Sequence, residues 1–148
     1  MKPAPSYFDC RVLDTRGRIR GVVPRKRVEP EPAFAGQAEA PGEKLYIVRY
    51  RGEFVYVGRT DKRISARLKQ GLNAWSYRYK WRDLSPVRIY VRPLPGKSKE
   101  EGEAVEAELV RIMRQKQRRW PSHQHEIHFR NTPGAAELAA RLYAEIMK

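Results

Sequence analysis

The chain has a single cysteine, Cys10, among its 148 residues. It can form no internal disulfide, and no cysteine-based zinc cluster is available to it. Long apolar runs are missing too, since no stretch approaches the roughly 20 apolar residues that a membrane span needs. The amino end carries Pro3 and Pro5 and lacks the apolar core of a secretory signal. Acidic residues are scarce beside basic ones, 17 against 31, which leaves a net charge of +14. These absences set aside membrane proteins and disulfide-stapled secreted domains, and the expected location is the cytoplasm, in association with the nucleoid. A field of this sign draws polyanions, so DNA is the expected partner, with RNA as the variant and no membrane. The length suits one domain with a short appendage.

Residues 1–42 read as an amino-terminal arm, basic, proline-rich and partly extended. Tyr7 to Leu13 suits one strand and Gly21-Val22-Val23 part of another, and Arg25-Lys26-Arg27 sits among Pro24, Pro30, Pro32 and Pro41. Residues 43–148 read as the folded domain. Leu45–Tyr50 and Phe54–Gly58 are β-branched and aromatic, and Arg51-Gly52-Glu53 between them signals a hairpin. Thr60 or Asp61 is placed to cap a helix carrying Ile64, Leu68 and Leu72. Val87–Val91 alternates as a third strand. A long helix is expected from Lys99 to before Pro121, with Val105, Leu109, Ile112 and Met113 as its apolar stripe. The last helix starts near Thr132-Pro133 and carries Leu138, Leu142 and Ile146. The expected class is α+β, a small three-stranded antiparallel sheet flanked by helices.

The hairpin and the following helix hold the most specific pattern. Lys44-Leu45-Tyr46 opens the first strand, Tyr56-Val57-Gly58 closes the second, and Arg67 follows Tyr56 by eleven residues. On the long helix Glu103, Glu106 and Glu108 are all available, and periodicity leaves Glu106 and Glu108 both bordering the apolar stripe. In this order the motifs resemble the GIY-YIG endonuclease superfamily, over a region from about Lys44 to Asn131. The resemblance implies a divalent-metal-dependent cutter of DNA phosphodiester bonds, structure-specific and repair-like or restriction-like. It implies Tyr46, Tyr56, Arg67 and Glu106 as catalytic residues. Glu106, three before the apolar pair Leu109-Val110, would be the ligand of Mg²⁺ or Mn²⁺. The pattern departs from the family at Lys44, where glycine is usual, in an interval to Arg67 one residue longer, and at Gln70-Gly71.

The chemistry suits these residue types. A phenol can orient or deprotonate an attacking water, although its usual pKa near 10 demands a cation nearby. A guanidinium can grip the scissile phosphate in bidentate fashion. One carboxylate with several waters is a common way to hold magnesium beside a phosphate. Either tyrosine suits the role of base. Gly58, Arg59, Lys69, Arg78, Lys80, Arg82, Arg118 and Arg119 are candidate nucleic-acid contacts, and Asn131 a supporting residue. Trp75–Arg82 alternates aromatic and mostly basic residues, which as an extended ribbon would stack on unpaired bases, or else bury its aromatics and wet its cations. His123, His125 and His128 form a polar loop more than a zinc site, for want of a fourth ligand. Two other classes fit the charge: a binding protein without turnover, and an RNA-associated basic protein. Oligomeric state stays open, a restriction-like homodimer included.

Overall fold

In the computed structural model, which describes residues 7–14, 25–74, 79–119, 121–122 and 132–148, the anticipated hairpin is the centre of the molecule. Numbered in chain order, its strands are β3 (Lys44–Tyr50) and β4 (Glu53–Thr60). The turn is one residue shorter than the sequence suggests. Arg51 at φ 50° and Gly52 at φ 81° both adopt the left-handed conformation that a two-residue hairpin turn demands. On its other side β3 pairs antiparallel with β5 (Val87–Pro93), with Tyr46 opposite Val91.

The sheet does not stop at three strands. β1 (Tyr7–Asp14) pairs with β5, and β2 (Lys26–Glu31) pairs with β1, all antiparallel, giving the order β2-β1-β5-β3-β4. The expected three-stranded sheet is therefore five-stranded, and much of the expected arm belongs to it. β1 pairs on both edges, with β5 and β2, while Phe8, Cys10 and Val12 alternate onto the face that packs into the core. β2 has no such alternation. It is held by its ladder to β1 and by ion pairs, Lys26 to Asp14 at 2.7 Å and Arg11 to Glu29 at 2.5 Å. The Gly21-Val22-Val23 segment lies outside the described residues.

Each outer edge is met by a side-chain amide that imitates a strand. Asn73 accepts from the Lys26 N–H at 2.8 Å and donates to the Lys26 carbonyl at 2.7 Å. Gln117 does the same for Phe54, at 3.3 and 3.1 Å. Such capping blunts edges that would otherwise invite another chain.

Helix α1 (Ile64–Asn73) buries Ile64, Leu68 and Leu72, the stripe its sequence predicts. Its start differs from expectation. Neither Thr60 nor Asp61 caps it, and the helix begins after Arg63. Thr60 Oγ1 instead accepts from Lys62 N within the turn, while Glu39 accepts from both Ser65 N and Ser65 Oγ at 2.9 Å. A distant carboxylate thus does the work of a cap. Helix α2 (Lys99–Gln117) opens with a capping box between Ser98 and Glu101 and ends at Arg118, left-handed at φ 60°, before Pro121 is reached. Helix α3 (Ala135–Ile146) starts after Gly134.

The layers follow from these faces. α1 and the turn at 79–84 cover one side of the sheet over Tyr46, Val48, Tyr56 and Ile89. α2 and α3 cover the other over Leu45, Ile47, Val57 and Tyr90. No helix among the described residues is long and apolar enough to cross a membrane.

Candidate active site

Tyr46 and Gly58 face each other across the β3–β4 ladder, and Val48 faces Tyr56. Same-face neighbours in adjacent strands lie close, so the two phenols share one cluster, their ring centroids 5.8 Å apart. Gly58 makes this possible. A Cβ there would lie 2.3 Å from Tyr46 Cζ and 2.4 Å from its hydroxyl oxygen. The glycine in Tyr-Val-Gly is a seat for the Tyr46 ring, and it is buried.

A third phenol completes the cluster. Tyr79 Oη lies 2.7 Å from Tyr46 Oη, and its ring is 5.2 Å from that of Tyr56 and stacked 4.9 Å from Trp81. It too has a glycine seat, since a Cβ on Gly71 would meet its ring at 2.1 Å. The Gln70-Gly71 departure thus makes room for a tyrosine arriving from the next loop. The aromatic run supplies that residue from turns, not from an extended ribbon: Arg82 N donates to Tyr79 O and Leu84 N to Trp81 O. Tyr79 and Trp81 are buried and Lys80 is exposed, so the described part of the run packs and does not present a stacking platform. Trp75, Tyr77 and Arg78 lie outside the described residues.

Arg67 extends from α1 to this cluster. Its guanidinium carbon sits 5.2 Å above the Tyr79 ring centroid, and Tyr79 Oη donates to the Arg67 carbonyl at 3.5 Å. Burial works against the Arg67 charge, but the surrounding phenols favour it more, and its pKa ends above the usual arginine value. Arg67 keeps partial exposure, whereas Tyr46 is fully buried and Tyr56 is 5% exposed.

The three glutamates of α2 separate cleanly. Glu108 pairs with Arg111 at 2.8 Å, and Glu103 lies 3.9 Å from Lys99. Glu106 is directed to the tyrosine side, near enough to raise the pKa of both Tyr56 and Tyr79. α2 packs on edge strand β4. Burial pushes the Glu106 carboxyl up to about 8; Arg59 and Arg67 oppose this, and Glu103 and Glu43 reinforce it. The phenols are shifted in the same sense. Burial raises Tyr56 to about 12, against a hydrogen bond from Tyr46, and raises Tyr46 and Tyr79 further. All three are neutral near pH 7.

Four expected catalytic residues thus come together from β3, β4, α1 and α2. The expected contact residues disperse. Arg59 is engaged by Glu43, Nε to Oε1 at 2.5 Å and Nη2 to Oε2 at 3.0 Å, beside the site. Glu43 lies flat on α2 where Gly102 leaves room. Lys69 points from α1 into a separate groove, and Arg82 is partly buried beyond Trp81. Arg118 and Arg119 stand at the far end of α2, roughly 18 Å along its axis from Glu106, where Arg119 pairs with Glu53. Asn131 and the three histidines lie outside the described residues. Lys44, where the family motif has glycine, is buried and donates to Gly42 O at 2.8 Å and Lys62 O at 2.7 Å, bracing the turn into α1. Tyr79 and Glu43 were not singled out from sequence as site residues; Glu43 gave no signal there beyond standing next to the first motif.

Among the described residues no group of three or more His, Cys, Asp or Glu side chains is arranged to hold a metal ion. Glu106 offers a desolvated carboxylate, and that desolvation is the property a hard cation would relieve, with water completing the shell. No protein-family model, curated protein or solved structure matches the chain.

Proposed function

We propose that this protein is a divalent-metal-dependent endonuclease of the GIY-YIG type that hydrolyses DNA phosphodiester bonds. The observation that carries the reading is the convergence of Tyr46, Tyr56, Arg67 and Glu106 from four separate elements. In the proposed reaction water attacks phosphorus and the P–O bond to the leaving sugar oxygen breaks. Arg67, partly exposed at the mouth of the cluster, grips the phosphate and offsets its developing charge. Tyr56, as the phenolate left when its own proton has passed to solvent, would orient the water and take its proton, and the leaving sugar oxygen would take a proton from solvent. Tyr56 is the better acceptor of the two motif tyrosines, because it keeps a little exposure and burial raises it less than Tyr46. Glu106 would hold Mg²⁺ or Mn²⁺, which when bound supplies Lewis-acid stabilisation of the leaving oxygen. The +14 charge gathers the polyanion.

The test is cleavage of supercoiled and branched DNA in Mg²⁺, Mn²⁺ or EDTA, beside Glu106→Ala. Metal-dependent cutting by wild type and its loss in the variant are expected. The complete burial of Tyr46 favours one second reading, a nucleic-acid-binding protein without turnover. Tight DNA binding with no cutting in any metal would establish that reading instead.

A further inference from the structure

On the far side of α1 from the tyrosine cluster lies an open groove of about 1110 Å³, between α1 and edge strand β2. We infer that this groove binds an unpaired segment of polynucleotide, so that the substrate is a branched or tailed nucleic acid. This deepens the nuclease reading by naming the substrate class, and the binding itself is testable without cleavage.

The lining sets apolar surface beneath charge of one sign. Val28, Pro30 and Phe34 belong to its apolar lining and Arg25, Arg27 and Lys69 to its charged lining, all three exposed, with Arg27 also paired to Glu29 at 3.5 Å. Phe34 is only partly buried, and its ring packs in a T-shaped pair with Phe8, centroids 4.9 Å apart. A fixed aromatic face with cations at its rim is the arrangement that single strands use, bases stacking while phosphates track the charge. The one carboxylate in the lining, Glu39, is occupied at the start of α1 by Ser65. Duplex fits less well, because its bases are not available to an apolar floor.

A peptide added as a sixth strand is the obvious competing occupant, and the edge opposes it. Asn73 already takes the Lys26 N–H and carbonyl, and Pro30 has no N–H to offer. The charge would also select only acidic peptides.

Position connects the groove to the site. Ser65, Lys69 and Asn73 follow one another at four-residue spacing along the groove side of α1. Arg67 lies two residues from Lys69, about 200° around the helix, and faces the phenols. A strand in the groove and a phosphate at Arg67 are then separated by about the 10 Å diameter of one helix. A junction between paired and unpaired DNA spans that gap.

The experiment measures fluorescence anisotropy in EDTA, with the full chain and three probes: oligo(dT), a tailed duplex and a blunt duplex. Wild type is expected to prefer the first two. Lys69→Glu, at an exposed position, is expected to weaken oligo(dT) binding on the order of tenfold. Phe34→Leu, which keeps the contact with Phe8 but removes the aromatic face, is expected to act in the same direction. Both should leave blunt duplex nearly unchanged. Arg141→Glu, an equal charge change on exposed α3, controls for net charge. Equal losses in Lys69→Glu and Arg141→Glu, or displacement of oligo(dT) from the groove by polyglutamate at comparable concentration, would overturn the inference. Retained single-strand preference without cleavage in Mg²⁺ sinks only the nuclease reading; cleavage without that preference sinks only the groove.

Discussion

Gly58→Ala tests whether the motif glycine is there to seat Tyr46. The added methyl would start 2.3 Å from Tyr46 Cζ, 2.4 Å from its oxygen and 2.8 Å from Cε1. The ring cannot swing clear, because Tyr46 has no exposure and is closed in by Tyr56 and Tyr79. Overpacking of this kind costs ~1–3 kcal/mol. Displacing the ring also breaks the 2.7 Å hydroxyl contact with Tyr79, adding about 1 kcal/mol. The expected loss is therefore ~2–4 kcal/mol, or a fall in Tm of roughly 5–15 °C for a chain of this size.

Urea and thermal melts of four proteins read this out: wild type, Gly58→Ala, Tyr46→Ala and the double variant. Tyr46→Ala alone leaves a cavity and should cost about 3–5 kcal/mol. If ring and methyl compete for one space, the double variant should lose at least 1 kcal/mol less than the sum of the singles. Additive losses, or a Gly58→Ala protein within about 0.5 kcal/mol of wild type, would refute the seat.

Glu106→Gln should change how stability depends on pH, measured by urea melts in chelator. The folded carboxyl near 8 lies above the ordinary 4.5, so wild-type stability is greatest below the ordinary value and falls as pH rises through 8. Glutamine has nothing to ionise, and the variant should overtake wild type above pH 8. The rise from 4.5 to about 8 sets a ceiling of ~5 kcal/mol, and partial exposure of the residue brings the expectation to ~2–3 kcal/mol; parallel pH curves would contradict it. Tyr79→Phe keeps the stacking on Trp81 but leaves the buried Tyr46 hydroxyl short of a partner. A loss of ~1–2 kcal/mol and a drop in kcat larger than any change in KM are expected from melts and cleavage kinetics.

How far the sequence reveals this depends on whether a residue's role is local. β3, β4, α1 and β5 are legible because each has an apolar period that one face satisfies. β2 is not legible. Lys-Arg-Val-Glu-Pro-Glu has no period and a proline, and it becomes a strand only because β1 needs a partner and Asn73, 47 residues away, fastens its start. The cap of α1 is hidden from the sequence for the same reason, since Glu39 reaches it from outside the helix. In the site, Tyr46, Tyr56 and Arg67 follow from short spacing along one hairpin and helix. Tyr79 does not. Its place depends on Gly71 vacating the space its ring fills, a complementarity between two positions that neither displays alone. Among the glutamates, angular arithmetic leaves both flanks of the stripe open, and what distinguishes Glu106 is a desolvation that depends on the tertiary packing around α2.

The chemistry of the cluster constrains which of its members can move a proton. Three phenols raised by burial all carry their protons near neutrality, and Arg67 carries its charge. Glu106, at about 8, is the only group among these that ionises near pH 7. Without a cation, ionising Glu106 makes a phenolate harder to form, since its charge already raises Tyr56 and Tyr79. A divalent cation held by Glu106, as proposed, would reverse that sign, converting a neighbour that repels phenolate into one that attracts it. The arrangement therefore ties the basicity of Glu106 to the acidity of Tyr56. That coupling is a physical reason for placing a single, partly buried carboxylate beside a set of buried tyrosines. On the nuclease proposal, removing Glu106 should abolish turnover while making the fold more stable at alkaline pH.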